Sequence, residues 1–150
     1  MTIAAELETT IARSVDGVFA ELVAVERYPE WLSATGVRAV ERLDDAAFGE
    51  GSRLTIQQQI AGRSTTLDGV VTVLVPGERF ALRATDAQGI AVELDAGLLA
   101  EGPMTRLSWS IRLGLPLRFR FFESMVAPEL RRAATADLEN LKRRLEAVAG

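Results

Sequence analysis

Polar side chains at otherwise apolar strand positions are the first candidates for chemistry in this chain. Gln58 follows Leu54 and Ile56 and precedes Ile60 in the segment SRLTIQQQI. Because side chains alternate between the two faces of a strand, this alternation predicts that Gln58 points inward with its apolar neighbours. A buried amide requires hydrogen-bond partners. Two interpretations stay open: a register break or solvated strand edge, or a hydrogen bond that orients a ligand.

Aromatic side chains are the second set of candidates. The segment VERYPEWLSATGVRAVERL contains the only tyrosine, Tyr28, and one of the two tryptophans, Trp31. Trp31 and Leu32 are interpreted as a plug at the end of a sheet, whereas Tyr28 could instead turn its apolar ring and its hydroxyl toward a cavity. Trp109 lies in the apolar phase of TRLSWSIRL, which fits either core packing or the wall of a cavity.

Charged residues form two further groups of interest. Glu93 and Asp95 alternate with apolar residues and are interpreted as a solvated outer face; in the opposite phase they would be buried carboxylates with a raised pKa. In PLRFRFFESM, Arg118 and Arg120 lie among three phenylalanines that cover more than one helical face. Segment 116–125 is therefore expected to be an exposed helix start or dimer contact, or to touch a membrane surface or an acidic partner.

The residue types that are missing exclude several mechanisms. The 150 residues include no histidine and no cysteine. Serine–histidine and cysteine–histidine catalysis, disulfides and tight transition-metal sites are therefore excluded, and no metal or cofactor is expected. An enzyme remains the less favoured expectation. The net charge of −4 argues against a DNA-binding protein. Without a signal-peptide pattern or an apolar run long enough to cross a bilayer, a cytoplasmic location is expected.

The elements that would position these residues follow from periodicity. TIAAELETTIA alternates as a half-buried strand, and the apolar spacing from Val15 to Val23 predicts a short helix. Pro29 suits the start of a second short helix. Six strands separated by short Gly-, Pro- or Asp-containing turns follow to about residue 115, which predicts an antiparallel meander. A stripe that includes Leu138, Leu141, Leu145 and Val148 predicts a helix from about 117 to 148, with a kink or new start at Pro128.

This order of elements resembles the START-like, or SRPBCC, superfamily, which includes polyketide cyclase/dehydrase and lipid-transport proteins. IARSVDGVFAELVAVERYPEWLSATGVRAVERL is similar to that family's first strand, helix pair and second strand, and RYPEWLSATGV looks most like coenzyme-Q-binding and ribosome-association-toxin members. FGEGSRLTI and MTRLSWSI resemble its Gly-rich turn and penultimate strand. The resemblance implies one α+β domain over residues 1–150. Its helix-grip fold would wrap seven curved antiparallel strands around the C-terminal helix.

A helix lying across a strongly curved sheet leaves space between the two, so an apolar cavity is expected there. Strand alternation and the helix stripe together predict a lining of Ile56, Gln58, Trp109, Phe122 and Val126. Tyr28 and Phe119 complete the candidate ligand-binding residues. A carrier of a small apolar molecule, such as a lipid, quinone or polyketide-like compound, is the leading hypothesis. The alternatives are a polyketide aromatase/cyclase and a ribosome-interaction module; a homodimer also remains open.

Overall fold

The computed structural model describes residues 2–43, 47–60 and 62–147. Among these residues it contains seven β-strands, two α-helices and two short 3-10 helices. The chain begins with β1 (Thr2–Ile11), α1 (Val15–Val23) and a 3-10 helix (Val25–Glu30). The remaining strands are β2 (Val37–Arg42), β3 (Arg53–Ile60), β4 (Arg63–Val75), β5 (Arg79–Thr85), β6 (Ala91–Glu101) and β7 (Met104–Gly114). A second 3-10 helix (Leu117–Phe122) leads directly into α2 (Glu123–Ala147).

The seven strands form one antiparallel sheet in the order β1-β7-β6-β5-β4-β3-β2. Strands β2 to β7 form the expected meander, and β1 closes the other edge by pairing with β7 along its whole length. Short turns suffice between successive strands because antiparallel neighbours can be joined by a hairpin. The α+β helix-grip architecture predicted from the sequence is confirmed.

The C-terminal helix lies on the sheet and supplies one wall of the core. Its buried stripe consists of Ala133, Ala134, Asp137, Leu138, Leu141 and Leu145. One detail differs from the expectation: residues 117–122 form a 3-10 helix before the α-helix begins at Glu123. Of the two alternatives at Pro128, a new helix start is wrong, because α2 continues through this residue. The predicted end of the stripe, Val148, lies outside the described residues.

The aromatic segment after α1 closes one end of the core, as the plug interpretation predicts for Trp31 and Leu32, which are almost completely buried. The ring centroid of Trp31 lies 5.3 Å from that of Tyr28 and 5.5 Å from that of Trp109. These separations are typical of favourable aromatic pairs. The outer face of the sheet is solvated as expected, since Asp95 and Glu93 pair there with exposed arginines.

Candidate ligand-binding site

A cavity of about 440 Å³ lies between the sheet and the first half of α2. Its apolar wall combines strand residues with helix residues: Val92, Ile111, Leu113, Phe122, Val126, Leu130 and Ala133. Ligand pockets in proteins commonly occupy roughly 300–1,000 Å³. The space therefore has the size and lining of a site for a small, largely apolar molecule.

A smaller cavity of about 180 Å³ adjoins the first one toward the 3-10 helix 117–122. The two cavities share four lining residues: Ile60, Leu113, Phe122 and Val126. The rest of the smaller cavity is formed by Arg63, Ile90, Leu115 and Phe119. We call the larger cavity the main cavity and the smaller one the apolar annex. A long apolar ligand could extend from the main cavity into the annex past these shared side chains.

Gln58 is the buried polar residue that strand alternation predicted for the sheet interior. It lines the main cavity, and only 7% of its surface is exposed. Its amide Nε2 donates to the carbonyl oxygen of Thr35 at 2.8 Å, whereas its Oε1 accepts no hydrogen bond from a described residue. Thr35 belongs to the loop of residues 33–36, which also lines the cavity. Gln58 therefore connects this loop to the sheet and offers a free acceptor to the cavity.

Asp137 holds the same loop from the helix side. Its side chain is completely buried, and its carboxylate accepts from the backbone N–H groups of Ala34 at 2.8 Å and Thr35 at 3.1 Å. The Thr35 hydroxyl donates a third hydrogen bond at 2.5 Å. Burial raises the pKa of Asp137 above its usual range, although these three hydrogen bonds oppose the shift. The loop is thus fixed between helix and sheet, which gives the cavity a defined wall.

Sequence reasoning missed Asp137, although the helix periodicity contains a signal. Asp137 follows the buried Ala134 by three residues and precedes the buried Leu141 by four. Residues with these spacings share one helix face. A carboxylate on the apolar face of a helix needs partners, so its position alone predicts a buried polar network.

Gly36 permits the close approach of the loop to β3. Its φ is +88°, and a Cβ atom at this position would lie 2.3 Å from the carbonyl oxygen of Gln59. The Gln59 N–H donates to the Gly36 carbonyl at 2.9 Å. Both the left-handed backbone and the contact require glycine, so the loop can only reach this position with the residue that the sequence provides.

Three of the predicted site residues lie in the core and line neither the main cavity nor the apolar annex. Tyr28 is buried, and its hydroxyl donates to the Leu22 carbonyl oxygen, so the idea that it faces the cavity is corrected. Burial raises the pKa of this hydroxyl above its usual range. Trp109 packs against Trp31, and Ile56 is 6% exposed within the core. Phe119, Phe122 and Val126 do line these cavities.

Segment 116–125 contributes to the lining of both cavities and exposes large apolar side chains. The exposed fraction is 71% for Leu117, 78% for Phe121 and 68% for Met125. Arg118 lies over the ring of Phe119, and Arg120 lies over that of Phe121. This segment therefore presents exposed apolar side chains interleaved with positive charge beside the cavities.

Other charged residues have structural partners. Arg144 is half-buried, and its guanidinium pairs with Glu21 and Glu30 near the first helices. No group of three metal-ligating side chains occurs within the described ranges. None of the helices in that part of the chain is long and apolar enough to span a bilayer.

The fold, with a cavity between the curved sheet and the C-terminal helix, defines a START-like protein of the helix-grip class. A model of the family described as polyketide cyclase / dehydrase and lipid transport matches residues 2–146. The chain belongs to this family.

Solved structures with the same fold cover nearly the whole chain at low sequence identity. An aromatase/cyclase, Zhui, from a Streptomyces species is 18% identical with a TM-score of 0.75, and the alignment covers 100% of this chain and 99% of that one. A START superfamily protein from Mycobacterium smegmatis is 19% identical with a TM-score of 0.68 over 97% and 95% of the two chains. A protein from Thermus thermophilus is 16% identical with a TM-score of 0.77 over 98% and 99%. No curated protein sequence matches the chain significantly.

Proposed function

We propose that this protein binds and carries a small hydrophobic molecule in the main cavity and the apolar annex. The observation that carries the proposal is the lined space between sheet and helix. Phe122 and Val126 on the helix side face Ile111 and Leu113 of β7 across it. Burial of a ligand's apolar surface there contributes about 25 cal/mol per Å² removed from water.

Gln58 gives the cavity a means of orienting a ligand. Its free Oε1 can accept from a ligand hydroxyl, while its Nε2 stays bonded to Thr35. The ligand-binding residues that we propose are Gln58, Phe119, Phe122 and Val126. Each of these four residues lines the main cavity or the apolar annex.

The exposed segment 116–125 supports a route for loading. Phe122 and Val126 belong to the wall of both cavities, and Phe121 and Met125 beside them are exposed. We propose that this segment touches an anionic membrane surface, where apolar side chains insert and arginines meet lipid head groups. A ligand could then pass between bilayer and cavity without crossing water.

The experiment is a stability titration with a neutral apolar ligand such as dodecanol. A ligand that binds only the folded protein raises the free energy of unfolding by about 2.7 kcal/mol at 100 times its dissociation constant. We expect this gain for the wild type and not for Val126→Trp, which fills the junction of the two cavities. Glu139→Trp places the same side chain on an exposed helix position away from the cavity and should behave as the wild type.

Two further assays separate the carrier from the alternatives. A panel of polyketide-like substrates would be converted by an aromatase/cyclase and bound unchanged by a carrier. Co-sedimentation with ribosomes would favour the interaction module. No stabilisation by any apolar ligand would contradict the carrier proposal.

A further inference from the structure

Most polar side chains that line the main cavity lie on the loop 33–36, β2 and β3, and Glu129 of α2 is the exception among the described residues. The loop 33–36, Gln58, Gln59 and Arg38 surround the end between β2 and β3. The apolar annex is lined by Ile90, Leu113, Leu115 and Phe119, and Arg63 is the one polar side chain that a described residue contributes there. The combined space is therefore amphipathic along its length, and a ligand that matches it has a polar head and an apolar body.

Arg38 is the cation at the polar end. Its side chain is exposed at the cavity rim, and its guanidinium donates to Oε1 of Gln59 at 2.9 Å. Within residues 2–43, 47–60 and 62–147 it forms no ion pair with a carboxylate. Since Gln59 is a neutral partner that uses only one of the five guanidinium N–H groups, most of the donors of Arg38 stay available.

The other charges at the cavity do not cancel that of Arg38. Among the described residues, Glu129 is the one carboxylate in the lining, and it is paired with Arg132 one helical turn away. Arg63, at the annex, lies over the ring of Phe119 with 5.8 Å between its guanidinium carbon and the ring centroid. The lining is thus positive overall, although the chain carries a net charge of −4.

From this arrangement we infer that the ligand is an amphiphile with an acidic head, a carboxylate or a comparable oxyanion, bound by Arg38. The inference rests on the proposed function and specifies its ligand class. The planar guanidinium suits a two-pronged contact with a carboxylate. The acyl or ring body then extends past Phe122 and Val126 into the annex, where no hydrogen-bonding group is needed.

The test compares an acid with a neutral analogue of the same chain length. Dodecanoate and dodecanol are titrated, below the concentration at which dodecanoate forms micelles, against protein preloaded with the uncharged dye Nile red. The wild type is expected to bind dodecanoate at least about tenfold more tightly, which corresponds to about 1.4 kcal/mol. Arg38→Gln should remove this preference and leave the affinity for dodecanol within about twofold. Added salt should weaken dodecanoate binding more than dodecanol binding.

Arg53→Gln is the matched control, because Arg53 is exposed on β3 and does not line either cavity. Its preference for dodecanoate should equal that of the wild type. Equal affinities of the wild type for acid and alcohol, or a preference that persists in Arg38→Gln, would overturn the inference while leaving the carrier function intact. If Nile red and both compounds fail to bind, the proposed function fails and the inference falls with it.

Discussion

Replacement of Asp137 tests whether the cavity wall is built as the structure indicates. Asp137→Ala removes the acceptor of three hydrogen bonds from Ala34 and Thr35 and leaves the loop attached on the sheet side through Gln58. Asp137→Asn keeps the shape of the side chain but turns an NH₂ group toward some of these donors. We expect both variants to be destabilised, with the larger loss in Asp137→Ala.

The size of the effect follows from the burial of the donors. A buried donor that loses its acceptor costs about 1–3 kcal/mol. Because Ala34 is exposed and Thr35 is half-buried, water can replace part of the lost bonds. The expected loss for Asp137→Ala is therefore about 2–4 kcal/mol in total, and that for Asp137→Asn is about 1–3 kcal/mol.

Urea denaturation followed by tryptophan fluorescence measures this loss. With a slope near 2 kcal/mol per molar urea, the midpoint of Asp137→Ala should fall by about 1–2 M. Glu139→Ala is the control, since Glu139 is an exposed residue two positions further along the same helix. A midpoint for Asp137→Ala equal to that of Glu139→Ala would refute the reasoning.

The pH dependence of the same measurement follows from the raised pKa of Asp137. Burial is the main cause of that shift, so the folded protein favours the protonated carboxyl. A group whose pKa is higher in the folded state contributes stability below its unfolded pKa and loses that contribution as the pH rises through its folded pKa. The advantage of wild type over Asp137→Asn should therefore shrink as the pH rises above the ordinary aspartate pKa of about 4. A constant or growing advantage would contradict the direction of the shift.

Three other predictions concern the core, the main cavity and segment 116–125. Trp109→Ala should lower the free energy of unfolding, measured in urea, by about 3–5 kcal/mol, because the ring is packed in the core and does not border the main cavity or the annex. A loss below about 1 kcal/mol would contradict this packing. Gln58→Leu should lower the free energy of unfolding by about 1 kcal/mol, because the hydrogen bond to Thr35 is lost. It should also weaken the binding of dodecanol relative to that of dodecane, as measured by displacement of Nile red. An unchanged preference between the two compounds would remove Gln58 from the site. Phe121→Ser combined with Met125→Ser should reduce co-sedimentation with anionic vesicles, whereas Leu99→Ser, a 59% exposed control on β6, should not; equal loss in both would contradict docking through segment 116–125.

Much of the fold could be predicted from the sequence because its signals are local. Alternation along the strands and short turns specify an antiparallel meander, and the stripe through Leu138, Leu141 and Leu145 specifies the covering helix. The inward orientation of Gln58 follows from the same alternation. The change from a 3-10 helix to α2 at Glu123 could not be predicted from the sequence, because residues 117–122 have no buried side chain that would show a helical period.

The site was predictable only in part because lining a cavity depends on packing between distant segments. Trp109 has the correct phase, but contact with Trp31 fills the space beneath it. The Tyr28 hydroxyl donates to a backbone carbonyl oxygen, and no sequence pattern identifies such an acceptor. Asp137 is separated from Ala34 by 103 positions in the chain, so its bonds to the loop 33–36 become visible only in the folded structure.

The central claim is that the space between sheet and helix holds a small hydrophobic ligand, and native mass spectrometry tests it most directly. Wild type and Val126→Trp are purified in parallel without detergent and measured before and after incubation with an apolar compound library. The account predicts a one-to-one small-molecule adduct on the wild type and its loss in Val126→Trp, with both proteins folded by circular dichroism. A wild type that stays free of any adduct after incubation, or an equal adduct on the filled variant, would contradict the account.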